Sequence, residues 1–241
     1  MKVLAIIPAR YASSRFPGKP LCIIKGKTML EWVYLRTRSC SSIQETLIAT
    51  DDQRILDVAL AFGAPAVMTS ADHISGTDRI REVVQLMGAD ADIILNVQGD
   101  EPTIDPKHLE ALIAKFQKGV DIATLVTPFR DQKDFKDPNR VKAIIAQSGK
   151  ALYFTRSAAP YDRHDPADLD LCHQHIGVYG YRRDVLEKLT ALDPSPLEKK
   201  ESLEQLRWLE HGFNIHAAIV DRAPIGVDTP EDLERVKAAW S

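Results

Sequence analysis

A chain of 241 residues with 44% apolar and 27% charged side chains has an ordinary globular composition, which argues against disorder and leaves enough aliphatic groups to build a core. A net charge of −3 supplies no broad basic field, so the chain is not organised around nucleic acid and any phosphate site has to be local. No apolar run approaches the roughly 18 residues of a membrane span, and the cysteines, Cys22, Cys40 and Cys172, form neither a disulfide framework nor a zinc-ligand pattern. The N-terminus enters Val3-Leu4-Ala5-Ile6-Ile7 without a signal-peptide cleavage pattern. The expectation is a cytoplasmic protein with reduced thiols and no membrane or nucleic-acid partner.

Along the first half, short apolar runs alternate with amphipathic stretches, the pattern of strand-helix-strand crossovers on a largely parallel sheet. Strands are expected at 2–7, 45–49, 65–68, 92–97 and 122–127. Thr28-Met29-Leu30-Glu31 reads as a capping box, and Leu30, Val33 and Tyr34 follow at helical spacing, which predicts a helix over about 28–39. After Pro106, the residues Leu109, Leu112, Ile113 and Phe116 recur at i, i+3, i+4, i+7 and mark another core-facing helix. The second half changes character, because 141–145 and 151–155 flank Ser148-Gly149 as a hairpin and make the sheet mixed. A strand at 174–181, a helix over about 198–211 with Leu203, Leu206 and Leu209, a strand at 215–220 and a closing helix from Pro230 complete the chain. The Asp-rich segment 161–171 reads as a surface loop or lid. With no repeat and no linker, the expected class is α/β, one domain over 1–241 with a mixed, mainly parallel sheet flanked by helices.

Pro8-Ala9-Arg10-Tyr11-Ala12-Ser13-Ser14-Arg15-Phe16-Pro17-Gly18-Lys19 follows directly on the first strand, at the strand end where α/β proteins place ligands. Arg10, Arg15 and Lys19 can surround a polyphosphate, Ser13 and Ser14 offer hydroxyls, and the small residues let backbone N–H groups approach an anion. A solvated surface turn is the alternative reading of the same residues. Two familiar nucleotide loops are absent. No G-x-G-x-x-G occurs, and Gly26-Lys27-Thr28, which imitates the end of a P-loop, has Leu21 where the first glycine belongs.

Two aspartates suit a magnesium ion, which takes one or two carboxylates and completes its shell from substrate phosphates. Asp100 sits in Gln98-Gly99-Asp100-Glu101-Pro102, a turn at the end of the apolar run 93–97. Near the C-terminus, Thr229 as N-cap, Pro230 at the first helical position and the acids behind it are explained by helix initiation. That leaves Asp228 over. Taken singly, each aspartate also reads as a turn or cap residue. His173 and His175 share a strand face, but without a third nearby ligand they read as a polar face rather than a zinc pair.

At this point the chain resembles one family, the 3-deoxy-manno-octulosonate (Kdo) cytidylyltransferases, over nearly its whole length. The blocks that carry the resemblance are Ile6 through Leu21 around the N-terminal loop, Ala49-Thr50-Asp51-Asp52, Ser75-Gly76-Thr77-Asp78-Arg79, and Asn96 through Pro102. Further on come Ala151-Leu152-Tyr153-Phe154-Thr155-Arg156, His175-Ile176-Gly177-Val178-Tyr179-Gly180-Tyr181, Leu203-Glu204-Gln205-Leu206-Arg207 and Gly226-Val227-Asp228-Thr229-Pro230. The resemblance implies a nucleotide-diphospho-sugar transferase (Rossmann-like) fold, a homodimer, dependence on Mg²⁺, and the reaction of CTP with Kdo to CMP-Kdo and pyrophosphate for lipopolysaccharide assembly. It also implies a sugar-binding and dimerisation portion within about 128–200.

By the same resemblance Asp100 and Asp228 hold the Mg²⁺ and are catalytic together with Lys19 and Arg10. CTP would be met by Pro8, Ala9, Arg10, Ser13, Arg15, Lys19, Ser75, Gly76 and Arg79. The sugar acid would be met by Gln98, Arg156, His175, Glu204 and Gln205, with Arg156 on its carboxylate. Two other sugar acids, an amino-modified Kdo and neuraminate, remain as alternative substrates. From another class, a nucleotide-binding regulator without catalysis would keep the loop and lose the aspartates, and both aspartates are present.

Overall fold

The computed structural model describes residues 1–240 apart from Ser14, Ile74 and Lys118. The chain divides into two compact units, Met1–Glu110 with Pro224–Ser241, and Ala111–Ala223. In the first, β1 (Val3–Ala9) is an aliphatic run buried along nearly its whole length, as a parallel strand covered on both faces has to be. A two-strand ribbon, β2 (Ile23–Ile24) with β3 (Lys27–Thr28), leads into α1 (Met29–Arg38). Then follow β4 (Glu45–Thr50), α2 (Gln53–Ala61), β5 (Ala66–Met68), α3 (Gly76–Met87) and β6 (Ile93–Asn96). The order β6-β1-β4-β5 is parallel throughout, as expected from the alternation of strands and helices.

Helix ends are set locally. Thr28 accepts from the Glu31 N–H at 3.1 Å, while the Glu31 carboxylate pairs with Lys27, so only half of the predicted capping box forms. The closing helix Pro230–Ala239 has the full box between Thr229 and Asp232 and buries Leu233 and Val236 against Ile24, Met29 and Val227. That packing ties residues 227–229 to the rest of the unit.

The C-terminal end of β1 is shaped by two residues that lack something. The Ile6 carbonyl accepts from the Val97 N–H at 3.1 Å, and Pro8, two residues on, faces the same side, where the ladder to β6 has ended at Ile6 and Asn96. The N–H that proline lacks is not missed there. The chain at 97–100 then turns across β1 so closely that a Cβ on Gly99 would stand 2.8 Å from the Pro8 carbonyl oxygen. Gly99→Ala must push the backbone aside, which we expect to cost about 1–3 kcal/mol. Denaturant midpoints on purified variants check this; an unchanged midpoint would mean that the turn accommodates a side chain.

The helix α4 (Pro106–Ile113) contains the boundary between the units. In the second unit the strands are β7 (Ile122–Pro128), β8 (Lys142–Ile145), β9 (Ala151–Thr155), β10 (His173–Arg182) and β11 (Ile215–Ile219). Their order is β11-β7-β10-β8-β9, with β7 and β11 parallel and the other pairs antiparallel, so the sheet is mixed. The predicted hairpin is β8 and β9, turning at Gly149 with φ 82°. The helix expected over 198–211 is two helices, Pro196–Glu201 and Gln205–Glu210. Ser202 between them takes a left-handed φ of 53°, a conformation that ends a helix, and the leucine spacing could not register it. Among the described residues no helix is long and apolar enough to cross a membrane.

Candidate functional site

The loop after β1 is held in shape from within. The Gly18 N–H donates to the Tyr11 carbonyl at 2.9 Å, and the Phe16 N–H to the Ser13 hydroxyl at 3.4 Å. Gly18 has φ 72°, and a Cβ there would touch the Tyr11 ring at 3.0 Å. The Tyr11 ring also carries the Arg54 guanidinium at 3.3 Å from the ring centroid, a cation–π contact that sequence reading did not anticipate. Ser14 lies outside the described residues.

This loop, the 97–100 turn, the start of α3 and Asp228 enclose a cleft of about 450 Å³. Pro8, Ala9, Arg10, Ser13, Arg15, Lys19, Ser75, Gly76, Arg79, Gln98, Asp100 and Asp228, all singled out in the sequence, line it. At one end Lys19 Nζ donates to Asp100 Oδ2 at 2.6 Å, to the Val227 carbonyl at 2.9 Å and to Asp228 Oδ1 at 3.1 Å. Arg15 reaches the same Asp228 oxygen at 3.1 Å. Burial disfavours the Lys19 charge, but Asp100 and Asp228 outweigh it and hold its pKa above the ordinary lysine value. Arg10 is exposed on the cleft.

Two carboxylates sharing one cation is the test that a metal reading has to pass, and Lys19 serves as the stand-in. Asp100 and Asp228 lie within reach of a single positive centre and present hard oxygen donors. Among the described residues no group of three or more His, Cys, Asp or Glu side chains gathers to hold a metal, but Mg²⁺ bound partly through substrate phosphates needs only one or two carboxylates. The residues present therefore fit the ion. Next to them Glu101 is pushed up to about 8 by burial, reinforced by Asp100 and Asp228, and its buried Oε2 has no partner among the described residues.

At the other end the side chains are largely committed. Ser75 caps α3, accepting from the Asp78 N–H at 3.1 Å and donating to Asp78 Oδ2 at 2.9 Å. Arg79 is buried and donates to Thr69 Oγ1, the Ser70 carbonyl and, at 2.7 Å, Asp51 Oδ2. Its guanidinium thus braces the cleft wall. Gly76 lies against Pro8, whose ring would meet a Cβ there at 3.4 Å, and Gln98 donates to Asn96 at 2.9 Å. His73, which sequence reading passed over, also lines this end and pairs with Glu82.

The remaining candidates belong to the second unit. Arg156 spends three guanidinium nitrogens on carbonyls, Nε on Glu201 at 2.7 Å, NH1 on Pro138 at 3.0 Å and NH2 on Ser202 at 3.3 Å. The fully buried Lys142 donates to the Asp137 and Arg156 carbonyls at 2.7 and 2.9 Å, so Arg156 is pinned from both sides. Glu204 precedes the helix Gln205–Glu210, and the buried Gln205 has an amide nitrogen without a partner among the described residues.

His175 packs with ring centroids 5.0 Å from Phe154 and 5.4 Å from Tyr179. Thr124 Oγ1 lies 2.9 Å from the Val178 carbonyl and 3.0 Å from His175 Nε2; with its one hydroxyl proton on the carbonyl it accepts from Nε2–H. Burial lowers the His175 pKa to about 3. Between about 3 and the ordinary value of 6.5 the unfolded chain binds a proton that the folded one refuses, so stability falls as pH drops through that window. We expect this group to contribute a slope of roughly 1 kcal/mol per pH unit, absent in His175→Gln. Denaturant titrations of both proteins from pH 7 to pH 4 test it, and parallel curves would contradict it.

Compared with known proteins, a family model for cytidylyltransferases matches residues 4–216. The 3-deoxy-manno-octulosonate cytidylyltransferase of Cytophaga hutchinsonii is 48% identical, the match covering 98% of this chain and 96% of that protein. That of Syntrophotalea carbinolica is also 48% identical, covering 99% of this chain and 98% of its own. A solved structure of CMP:2-keto-3-deoxy-manno-octonic acid synthetase complexed with CTP matches with a TM-score of 0.93 at 42% identity, covering 100% of this chain and 98% of the other.

Proposed function

This chain belongs to the 3-deoxy-manno-octulosonate cytidylyltransferases, and from that premise we propose that its cleft binds CTP and transfers the cytidylyl group to Kdo, releasing pyrophosphate. The observation that carries the reading is the convergence of Lys19 and Arg15 on Asp100 and Asp228 at one end of the cleft. Cations and carboxylates facing one another across a strand end can hold a triphosphate and its counter-ion together.

In the reaction the anomeric hydroxyl of the sugar acid attacks the α-phosphorus of CTP and the bond to pyrophosphate breaks. Charge accumulates on the phosphate oxygens, so preorganised cations lower the barrier. Arg10, Arg15 and Lys19 neutralise the triphosphate. Ser13 and the backbone of Pro8 and Ala9 line the nucleotide. Asp100 and Asp228 would hold Mg²⁺, which when bound would supply Lewis-acid stabilisation of the phosphate oxygens. Gln98, His175, Glu204 and Gln205 are the proposed partners of the sugar hydroxyls; the buried Gln205 amide nitrogen, without a partner among the described residues, is the kind of group that a ligand oxygen would satisfy. Arg156 is the proposed partner of the sugar carboxylate, through the donors that its carbonyl contacts leave over. The proposal extends to a cytoplasmic homodimer whose product feeds lipopolysaccharide assembly, as the family resemblance implies.

Pyrophosphate release from CTP, measured with Kdo, amino-Kdo and neuraminate in turn, with and without Mg²⁺, tests the reading. Release with Kdo that depends on Mg²⁺ is the expected result. No release with any of the three acids would refute the enzyme reading, and a clear preference for another acid would replace the substrate.

A further inference from the structure

We infer that His73, oriented by Glu82, is the side chain that selects cytosine over uracil, by accepting a hydrogen bond on Nδ1 from the exocyclic amine of the base. The inference rests on the cytidylyltransferase reading and adds to it the residue that reads the base. At positions 4 and 3 cytosine presents an amine donor and a ring-nitrogen acceptor, and uracil the reverse, so selection needs an acceptor aimed at the amine. The side chains around that end of the cleft have few to offer. Arg79 can only donate, and its donors are engaged by Thr69, Ser70 and Asp51. The Ser75 hydroxyl is absorbed by Asp78, both donating and accepting. Gln98 is turned to Asn96 through its amide nitrogen, and its carbonyl is the other acceptor at hand.

His73 differs in that one ring nitrogen is committed in a way that defines the other. Nε2 faces Glu82 Oε2, and the same oxygen accepts the Ser70 N–H at 2.9 Å. An ionised carboxylate has no proton to give, so the hydrogen between them belongs to Nε2, and in the neutral ring Nδ1 carries the lone pair. Burial works against the Glu82 charge, but the His73 hydrogen bond and the Ser70 N–H prevail and hold its pKa below the ordinary carboxylate value. The carboxylate therefore stays an acceptor at neutral pH. Because Ser70 also ties down Glu82 and Arg79 braces Ser70, the ring is positioned before the base arrives. Glu82, on α3 and away from the base, is a positioning residue.

The test is the dissociation constant for CTP and for UTP, each measured by titration calorimetry on wild type, His73→Ala, His73→Asn and Glu82→Ala. His73→Ala is expected to weaken CTP about 10–100-fold while UTP changes less than about twofold, collapsing the preference. Asparagine offers an acceptor oxygen near the Nδ1 position, so His73→Asn recovers part of it. Glu82→Ala releases the tautomer and lowers the CTP preference by a smaller factor, of about 3–10. A His73→Ala protein that keeps the wild-type ratio of CTP to UTP affinity, or loses both nucleotides equally, overturns the inference while leaving the enzyme reading intact. A wild type that binds the two nucleotides alike overturns the inference, while the enzyme reading is decided separately by pyrophosphate release. Should His73→Ala fold poorly, His73→Asn and Glu82→Ala give the ratio by themselves.

Discussion

Asp100→Asn and Asp228→Asn should each lower turnover at saturating Mg²⁺ by about a thousandfold or more, while CTP binding without metal survives. The two aspartates reach the same ammonium from turns far apart in the chain, Asp100 at 2.6 Å and Asp228 at 3.1 Å from Lys19 Nζ. An amide in either place keeps the shape and removes the charge. What is lost is the negative pair that holds a cation against the developing phosphate charge. What is kept is the set of Arg10, Arg15 and Lys19, with Lys19 and Arg15 partly released from carboxylates to meet the triphosphate. Metal-free CTP affinity is therefore expected to hold or rise, and a purely structural role would not give that split. Folding should be little affected, because both carboxylates are partly exposed, 33% and 51%, and ion pairs of that kind contribute no more than about 1 kcal/mol. Steady-state pyrophosphate release paired with metal-free CTP titration checks the prediction. Near-normal turnover in either variant would mean that the ion is held elsewhere.

Trp208→Ala should have the largest effect on stability, a loss of about 3–5 kcal/mol. Trp208 is 1% exposed and meets Tyr179 and Tyr181 edge-on, with ring centroids 5.1 and 5.6 Å away. Truncation removes the largest fully buried side chain of the structure together with two aromatic contacts, leaving a cavity that flanking strand residues cannot fill. The consequence reaches function, because Trp208 lies one helical turn beyond Gln205 on the same helix. Loosening that helix should raise the KM for the sugar acid several-fold while the affinity for CTP, whose proposed partners belong to the other unit, moves little. Denaturant unfolding monitored by circular dichroism gives the first quantity and initial-rate kinetics the second. A loss below about 1 kcal/mol would show that the cluster collapses around the gap.

Residue pattern alone was sufficient wherever the controlling interactions are local. The aliphatic run of β1, the hairpin of β8 and β9 and the Thr229-Pro230 helix start are all written within a few neighbouring residues, since period, turn chemistry and capping act over one or two turns of chain. The loop after β1 was legible as a candidate site for the same reason, as cations and small residues crowded behind a buried strand. The break at Ser202 was not, because a left-handed residue other than glycine leaves no compositional mark and the leucine spacing runs straight through it. The division into two units inside α4 was equally silent, since a continuous amphipathic helix carries the chain across it.

By itself, then, the sequence determined the α/β class, the placement of most strands and helices, and the residues that could form a nucleotide site. Tertiary structure alone decided how those residues are used. It brings Lys19 against Asp100 and Asp228, 81 and 209 positions away in the chain, commits the Arg79 guanidinium to the cleft wall, and pairs His73 with Glu82 in the cleft lining. The reason is physical: propensity and periodicity report what a segment does with its own backbone, whereas the partner of a charge is chosen by whichever distant group the packed core carries to within about 3 Å, and no local pattern encodes that distance.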